Sequence, residues 1–230
     1  MGPIGEEASV RRRCVADFAE FSRSTLTHPD AAGLLHLWQE LRGDRPAPFR
    51  AELDAGKIGA KAPFLAILEH VGPSNLRVRI AGDRLNKWFG LELRGMSALS
   101  LVAPEARNHV QAALNRVIDD PAVAALHGAA RAADGAQARY ELALLPMRSD
   151  FGRVDRVLVG LWLLDHTGPF GPMRLGVDAV TVATVPLEGR PRLVAETASP
   201  AFAEAEGDGA AAPPRPADPP TRRGHLRVVK

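Results

Sequence analysis

The sequence predicts an α+β fold: a five-stranded antiparallel sheet with helices packed on one face, plus an N-terminal helix and a largely disordered C-terminal tail. Three observations predict it. Leu76-Arg77-Val78-Arg79-Ile80 alternates strictly between apolar and charged residues, and in the run 139–145 the residues Tyr140, Leu142 and Leu144 share a side, which is the two-residue period of a strand. Between those runs, Val110, Leu114, Val117 and Ile118 recur at helical spacing. The resulting order is two strands, then helices, then three strands.

The elements follow in order. Residues 1–29 form an N-terminal extension in which Val15, Phe18, Ala19 and Phe21 repeat at roughly helical spacing, so a short amphipathic helix is expected after the solvated Arg11 to Arg13. Its stripe needs a surface to cover it, either the domain or a second copy of the chain. The domain is expected over residues 30–166. It opens with a helix from Asp30, read as the N-cap, to about Leu41, with Leu34, Leu35, Trp38 and Leu41 as its apolar face. Gly43, Pro46 and Pro48 end it. A helical turn over about 55–60 leads to a hairpin, 64–71 and 76–80, joined by Gly72-Pro73-Ser74-Asn75. In that reading Leu76, Val78 and Ile80 all face the core. A short helix over 83–89 stops at Gly90, and a longer one runs from Pro104 to about Ile118. Three strands, at about 122–132, 139–145 and 154–164, close the domain, with Asp134-Gly135 and Asp150-Phe151-Gly152 as turns. Residues 167–195 hold one more alternating run, 177–185, read as an extra edge strand. Residues 196–230 are Ala-, Pro-, Glu- and Gly-rich and end in a basic segment from Arg222, which is the composition of a disordered tail.

Composition excludes several classes. Apolar residues make up 46% of the 230, enough for a core, but aromatics are only 5%, so aliphatic side chains and alanine must fill it. The net charge of +2 lacks the basic excess of a dedicated nucleic-acid binder, leaving at most weak binding through the basic tail. Cys14 is the single cysteine, so no internal disulfide exists and a reducing, cytoplasmic setting is expected. No secretory leader is read at the start, and the apolar run 157–164 is too short for a bilayer.

No catalytic motif is present: there is no His-Glu-x-x-His, Walker loop, Gly-x-Gly-x-x-Gly or Gly-x-Ser-x-Gly, so the chain is not read as an enzyme. Asp119-Asp120 read as a helix end. His70, His109 and His127 fall inside the domain, where a single histidine suffices to ligate haem iron, although a surface or hydrogen-bonded role is the simpler reading. No metal site is expected. The candidates for lining a ligand pocket between sheet and helices are Trp88, Phe89, Ile80, Tyr140, Leu142 and Leu144, for which core packing is the simpler alternative. Phe18, Phe21 and Trp162 are the candidates for an interface with a protein partner or in a homodimer. Arg42, Arg45 and Arg50 lie among Asp44, Glu52 and Asp54; a salt-bridged loop is the simpler reading and a phosphate site the sharper one.

Three stretches carry a resemblance. The first is Trp38 followed by Leu41-Arg42-Gly43-Asp44-Arg45-Pro46-Ala47-Pro48-Phe49-Arg50-Ala51-Glu52-Leu53-Asp54. The second is Arg79-Ile80-Ala81-Gly82, then Trp88-Phe89-Gly90 and Glu92-Leu93-Arg94-Gly95. The third is Glu141-Leu142-Ala143-Leu144-Leu145-Pro146-Met147, then Gly152 and the strand Val157 to Gly160. In this order they resemble a bacterial family of short proteins with a single divergent PAS domain. The chain departs from that pattern at Ala55, Asp83 and Met147, where Pro, Thr and Leu are usual. The resemblance implies sensing or protein–protein signalling: a stand-alone regulatory module acting through a partner protein, with or without a small-molecule ligand. A ligand-free scaffold is the alternative, and an unrecognised enzyme ranks lower. Neither residues nor resemblance name a cofactor.

Overall fold

A computed structural model describes residues 11–14, 18–72, 75–166, 168 and 170–186, all within the unit Met1–Arg190. The tail expected to be disordered at 196–230, its basic end, and Val15 of the N-terminal stripe lie outside the described residues. The elements are β1 (Arg11–Cys14), α1 (Phe18–Ser24), α2 (Pro29–Arg42), α3 (Ala55–Ile58), β2 (Leu65–Gly72), β3 (Asn75–Ala81), α4 (Asp83–Phe89), α5 (Arg107–Asp119), β4 (Ala122–Ala132), β5 (Gln137–Arg148), β6 (Val154–Leu163), β7 (Met173–Leu175) and β8 (Ala179–Thr184). No helix among the described residues is long and apolar enough to cross a membrane.

The expected order of two strands, helices and three strands is β2-β3, α4-α5, β4-β5-β6. These five strands form the continuous antiparallel run β4-β5-β6-β2-β3. The sheet then grows beyond expectation. β8 pairs antiparallel with β4, β1 pairs parallel with β8, and the short β7 pairs with the far end of β4. The alternating segment near 177–185 is therefore an inner strand, covered on its open side by the N-terminal residues. Alternation alone reports a half-buried strand and carries no information about what pairs along its edge.

Both faces of the sheet are buried. α5 lays Val110, Ala113, Leu114 and Val117 on the inner face, against Leu126, Leu142, Leu144, Val159 and Leu161, and α4 adds Leu85, Trp88 and Phe89. On the outer face, α1 and α2 place Phe18, Phe21, Leu34, Leu35 and Trp38 over Val123, Ala125, Ala143, Leu145, Leu158 and Trp162. The alternation of β5 divides the two layers, with Tyr140, Leu142 and Leu144 inward and Ala143, Leu145 and Met147 outward. Two covered faces explain why β5 and β6 read as almost unbroken apolar runs.

Two local expectations change. The N-cap of α2 is His28, whose Nδ1 accepts the Asp30 N–H at 3.2 Å. Pro29 at the first helical position needs no hydrogen-bond partner and has the right φ, so the helix starts before Asp30, whose charge then sits in the first turn at the positive end of the dipole. Ile80 does not continue the inward row of Leu76 and Val78. Leu68 faces Val78 but Ile67 faces Ile80, so Arg79 is an extra, bulged residue and Ile80 turns to the outer face beside Ile67, where it is 48% exposed.

Gly160 makes the outer layer possible. A Cβ there would lie 2.3 Å from the Trp162 ring and 2.9 Å from Leu34, so only glycine lets the Trp162 indole lie flat on β6 beneath α2. Gly160→Ala is expected to lower stability by about 1–3 kcal/mol, the usual cost of overpacking, as a shift of the urea midpoint at unchanged m-value.

Candidate functional site

The space between sheet and inner helices is where a ligand would sit in this architecture, and the chain fills most of it. What remains is a cavity of about 70 Å³. Its walls are Leu68 and Val78 from the hairpin, Leu85 and Phe89 from α4, Val110 and Leu114 from α5, and Leu126, Tyr140, Leu142, Leu144, Val159 and Leu161 from the sheet. Every wall residue is apolar except for the hydroxyl of Tyr140, which donates to the Gly176 carbonyl at 2.8 Å. Burial pushes that hydroxyl far above the ordinary phenol range, with the Asp178 charge adding to the effect, so Tyr140 stays a neutral donor. The site offers no group that titrates near neutrality and no free polar anchor.

The segment carrying Gly176 closes one end. A Cβ on Gly128 would lie 2.2 Å from the Gly176 carbonyl oxygen, so glycine at 128 is what lets this strand-free stretch cross β4 and place Leu175 and Val177 over the cavity. Sequence reasoning did not place these closing residues, nor Leu93, Leu101 and Val102, at the pocket. Leu175 ends the three-residue β7 and Val177 opens the alternating run read as an edge strand, and a strand period does not show that the chain between them folds over the cavity.

Of the six pocket candidates, Phe89, Tyr140, Leu142 and Leu144 line the cavity. Trp88 is buried at 6% but packs instead against Phe64, with ring centroids 5.7 Å apart. Ile80 is not at the cavity at all; it borders an open groove on the outer face with Ile58, Leu65 and Ile67. The three interface candidates are interior residues of this same chain: Phe18 is 8% exposed, Phe21 0% and Trp162 2%, because α1 and α2 cover the face on which Trp162 was expected to wait for a partner.

Charged clusters outside the cavity are structural in geometry. Arg45 bonds Glu52 at 2.8 Å and the carbonyls of Arg42 and Leu41, while Glu52 accepts the Phe49 N–H at 2.7 Å. The bond from Arg45 holds the Glu52 carboxyl below its usual range. The Arg42 guanidinium lies over Trp38 and Phe18, at 5.5 and 5.8 Å from the ring centroids, and Asp54 caps α3 by accepting the Lys57 N–H. The Leu-Arg-Gly stretch is thus a locked loop, with Arg42 and Arg45 engaged inward and not arranged around a phosphate.

A buried carboxylate went unnoticed in the sequence. Glu141 on β5 is 0% exposed on the outer face and accepts the Thr27 N–H at 2.8 Å, the Thr27 hydroxyl at 3.0 Å and the His28 N–H at 3.1 Å, with His127 Nε2 at 3.4 Å. The His28 ring stacks on Trp162 at 5.5 Å. Burial is the strongest influence and raises the Glu141 pKa, but the bonds from His127, Thr27 and His28 together outweigh it and hold the carboxyl below its usual range. Glu141 is a pin that fastens the α1–α2 corner to the sheet. None of His70, His109 and His127 lines the cavity, and among the described residues no group of three or more His, Cys, Asp or Glu side chains is placed to hold a metal ion.

Comparison with solved structures finds the Rhodobacter sphaeroides LOV protein, at 15% identity and TM-score 0.38 over 47% of this chain and 66% of that one. It also finds VqmA bound to DPO, at 14% identity and TM-score 0.37 over 43% and 51%, and an RNA-binding Light-Oxygen-Voltage receptor, at 19% identity and TM-score 0.34 over 43% and 28%. The chain thus spans less than two thirds of each of these structures. No curated protein matches it. The model of the PAS_5 family, described as a PAS domain, matches residues 26–162, more than half of the 230. That span begins at the corner pinned by Glu141 and ends at Trp162 on β6, and the chain accordingly belongs to the PAS_5 family of PAS domains, a class of sensory and regulatory modules.

Proposed function

We propose that this protein is a cytoplasmic regulatory module that works through contact with a partner protein, its interior serving as packed core and not as the seat of a polar chromophore. The observation that carries this reading is the cavity: about 70 Å³ and walled by apolar side chains. Ligand pockets run from about 300 Å³ upward and present a few placed polar groups. A flavin ring system or a haem does not fit this interior; the single cysteine, Cys14, lies on β1 at the sheet edge, and no histidine reaches the cavity.

Support for a protein partner comes from the surface. Phe151 is 92% exposed at the β5–β6 turn, and Val71 is 50% exposed at the end of β2. Because β2 and β6 run antiparallel with Glu69 opposite Arg156, both residues stand at the same end of the sheet. Exposed apolar side chains at one end of a sheet, an aromatic among them, are common anchors for a protein contact.

In-cell crosslinking of the full chain tests the reading. The expected result is one reproducible partner with crosslinks around residues 149–153, lost in Phe151→Asp while the melting temperature of that variant stays unchanged. A purified chain carrying a visible chromophore band would overturn the reading of the interior. Equal partner capture by Phe151→Asp would overturn the assignment of the surface.

A further inference from the structure

Next to the interior cavity lies a cleft of about 560 Å³, lined by Phe89 and Leu91 at the end of α4, Met96, Leu101, Pro172 and Met173, together with Arg131, Arg174 and Glu105. Arg131 on β4 and Arg174 on β7 are direct cross-strand partners, and both are exposed. Directly opposed residues on antiparallel strands hold their Cβ atoms about 5 Å apart, and like charges so placed destabilise the pair. Neither guanidinium has a carboxylate partner among the ion pairs of the described residues; the one bond to either side chain runs from Arg174 Nη1 to the Ser100 carbonyl at 2.5 Å. A neighbouring pair of arginine forks is suited to clasp a carboxylate or phosphate. Beside it the wall turns apolar, and Leu91 stands 41% exposed there. Phe89 and Leu101 belong to the walls of both the cleft and the interior cavity, so the two spaces adjoin at these side chains.

We propose that this cleft binds a small amphipathic anion, its carboxylate or phosphate held between Arg131 and Arg174 and its aliphatic part lying against Leu91, Met96 and Pro172 toward Phe89. The two arginines against Glu105 leave a surplus of one positive charge, which matches one anionic head and not a polyanion. The volume falls in the usual range for small-molecule sites, unlike that of the interior. The proposal needs no partner protein, so its failure leaves the reading of the Phe151 surface untouched.

The test is calorimetric titration of the full chain with decanoate, octyl phosphate and inorganic phosphate. Saturable binding of decanoate or octyl phosphate to one site is expected, with inorganic phosphate far weaker. Arg131→Gln is expected to weaken binding about ten-fold, the effect of losing a charged hydrogen bond. Because it relieves like-charge repulsion, the same variant should melt at or above the wild-type temperature without ligand, which a purely structural arginine would not do. Leu91→Ser should weaken decanoate and leave inorganic phosphate unchanged. The proposal is overturned by the absence of saturable binding, by equal affinity for inorganic phosphate, or by unchanged affinity in Arg131→Gln combined with Arg174→Gln. Sedimentation with phosphatidylglycerol vesicles that is lost in the double variant would assign the arginines to a membrane surface and overturn it too.

Discussion

Trp38→Ala is expected to lower the stability of this protein by about 3–5 kcal/mol, the cost of deleting a large buried aromatic side chain. Trp38 is 1% exposed and sits where three parts of the outer layer meet. Its ring packs on Phe18 of α1 at 6.4 Å, carries the Arg42 guanidinium at 5.5 Å, and donates its indole N–H to the Pro146 carbonyl of β5 at 2.7 Å. Alanine leaves a void between helix and sheet, an unpaired buried carbonyl and an arginine without its aromatic platform. Each loss acts on the same few contacts that hold α1 and α2 to the sheet, so they do not relax independently. Trp38→Phe isolates the hydrogen bond: with most of the ring volume kept, about 1–2 kcal/mol should be lost. Urea unfolding of the three proteins checks this, and a loss below about 1 kcal/mol in Trp38→Ala would show that the outer layer contributes little to global stability. A total stability of about 5–15 kcal/mol makes the expected loss a large fraction of the whole.

The second large effect belongs to Glu141. Glu141→Ala removes the acceptor for two backbone N–H groups and a hydroxyl at the α1–α2 corner, and about 3 kcal/mol is expected, the upper end for leaving buried donors unsatisfied. The pH dependence has a definite sign. The folded protein holds this carboxyl below its ordinary value of 4.5, so the folded state binds the proton less readily than the unfolded chain. The stabilisation is therefore complete above the ordinary value and is lost as pH falls through the folded-state value. The stability difference between wild type and Glu141→Ala should accordingly be largest at neutral pH and shrink below 4.5. His127 Nε2 lies 3.4 Å from the carboxylate, and His127→Gln, which keeps a donor, should preserve most of the wild-type profile. A difference that stays flat with pH would mean that Glu141 acts through packing alone.

The outer layer explains why the stretches that carry the family resemblance look as they do. Trp38 and Pro146 lie 108 positions apart yet form one hydrogen bond, and Arg42, Arg45 and Glu52 build the loop that ends the helix bearing Trp38. Those residues read in the sequence as a charged loop beside an aromatic. Their shared task, closing the far side of the sheet, required knowing that β5 passes beneath α2.

What the sequence determined by itself was everything carried by local period and local breakers. The strands of the hairpin and of β4 to β6, the short helix ending at Gly90 and the long α5 all appear within a few residues of where alternation, helical stripe and turn chemistry place them. The shared side of Tyr140, Leu142 and Leu144 was legible for the same reason. Tertiary structure decided the rest, because it depends on pairing and depth. Whether the stripe of α1 met its own sheet or another copy, whether β8 was an edge or an inner strand, and whether Trp162 faced a partner or its own helices are questions of what lies across a surface, which no period encodes. One bulged residue, Arg79, moved Ile80 to the opposite face, since a single insertion reverses every later side chain in a strand. The size of the interior was likewise set by how closely irregular segments approach, down to the absence of a Cβ at Gly128. That closeness, and not the identity of the lining residues, separates a packed core from a ligand pocket.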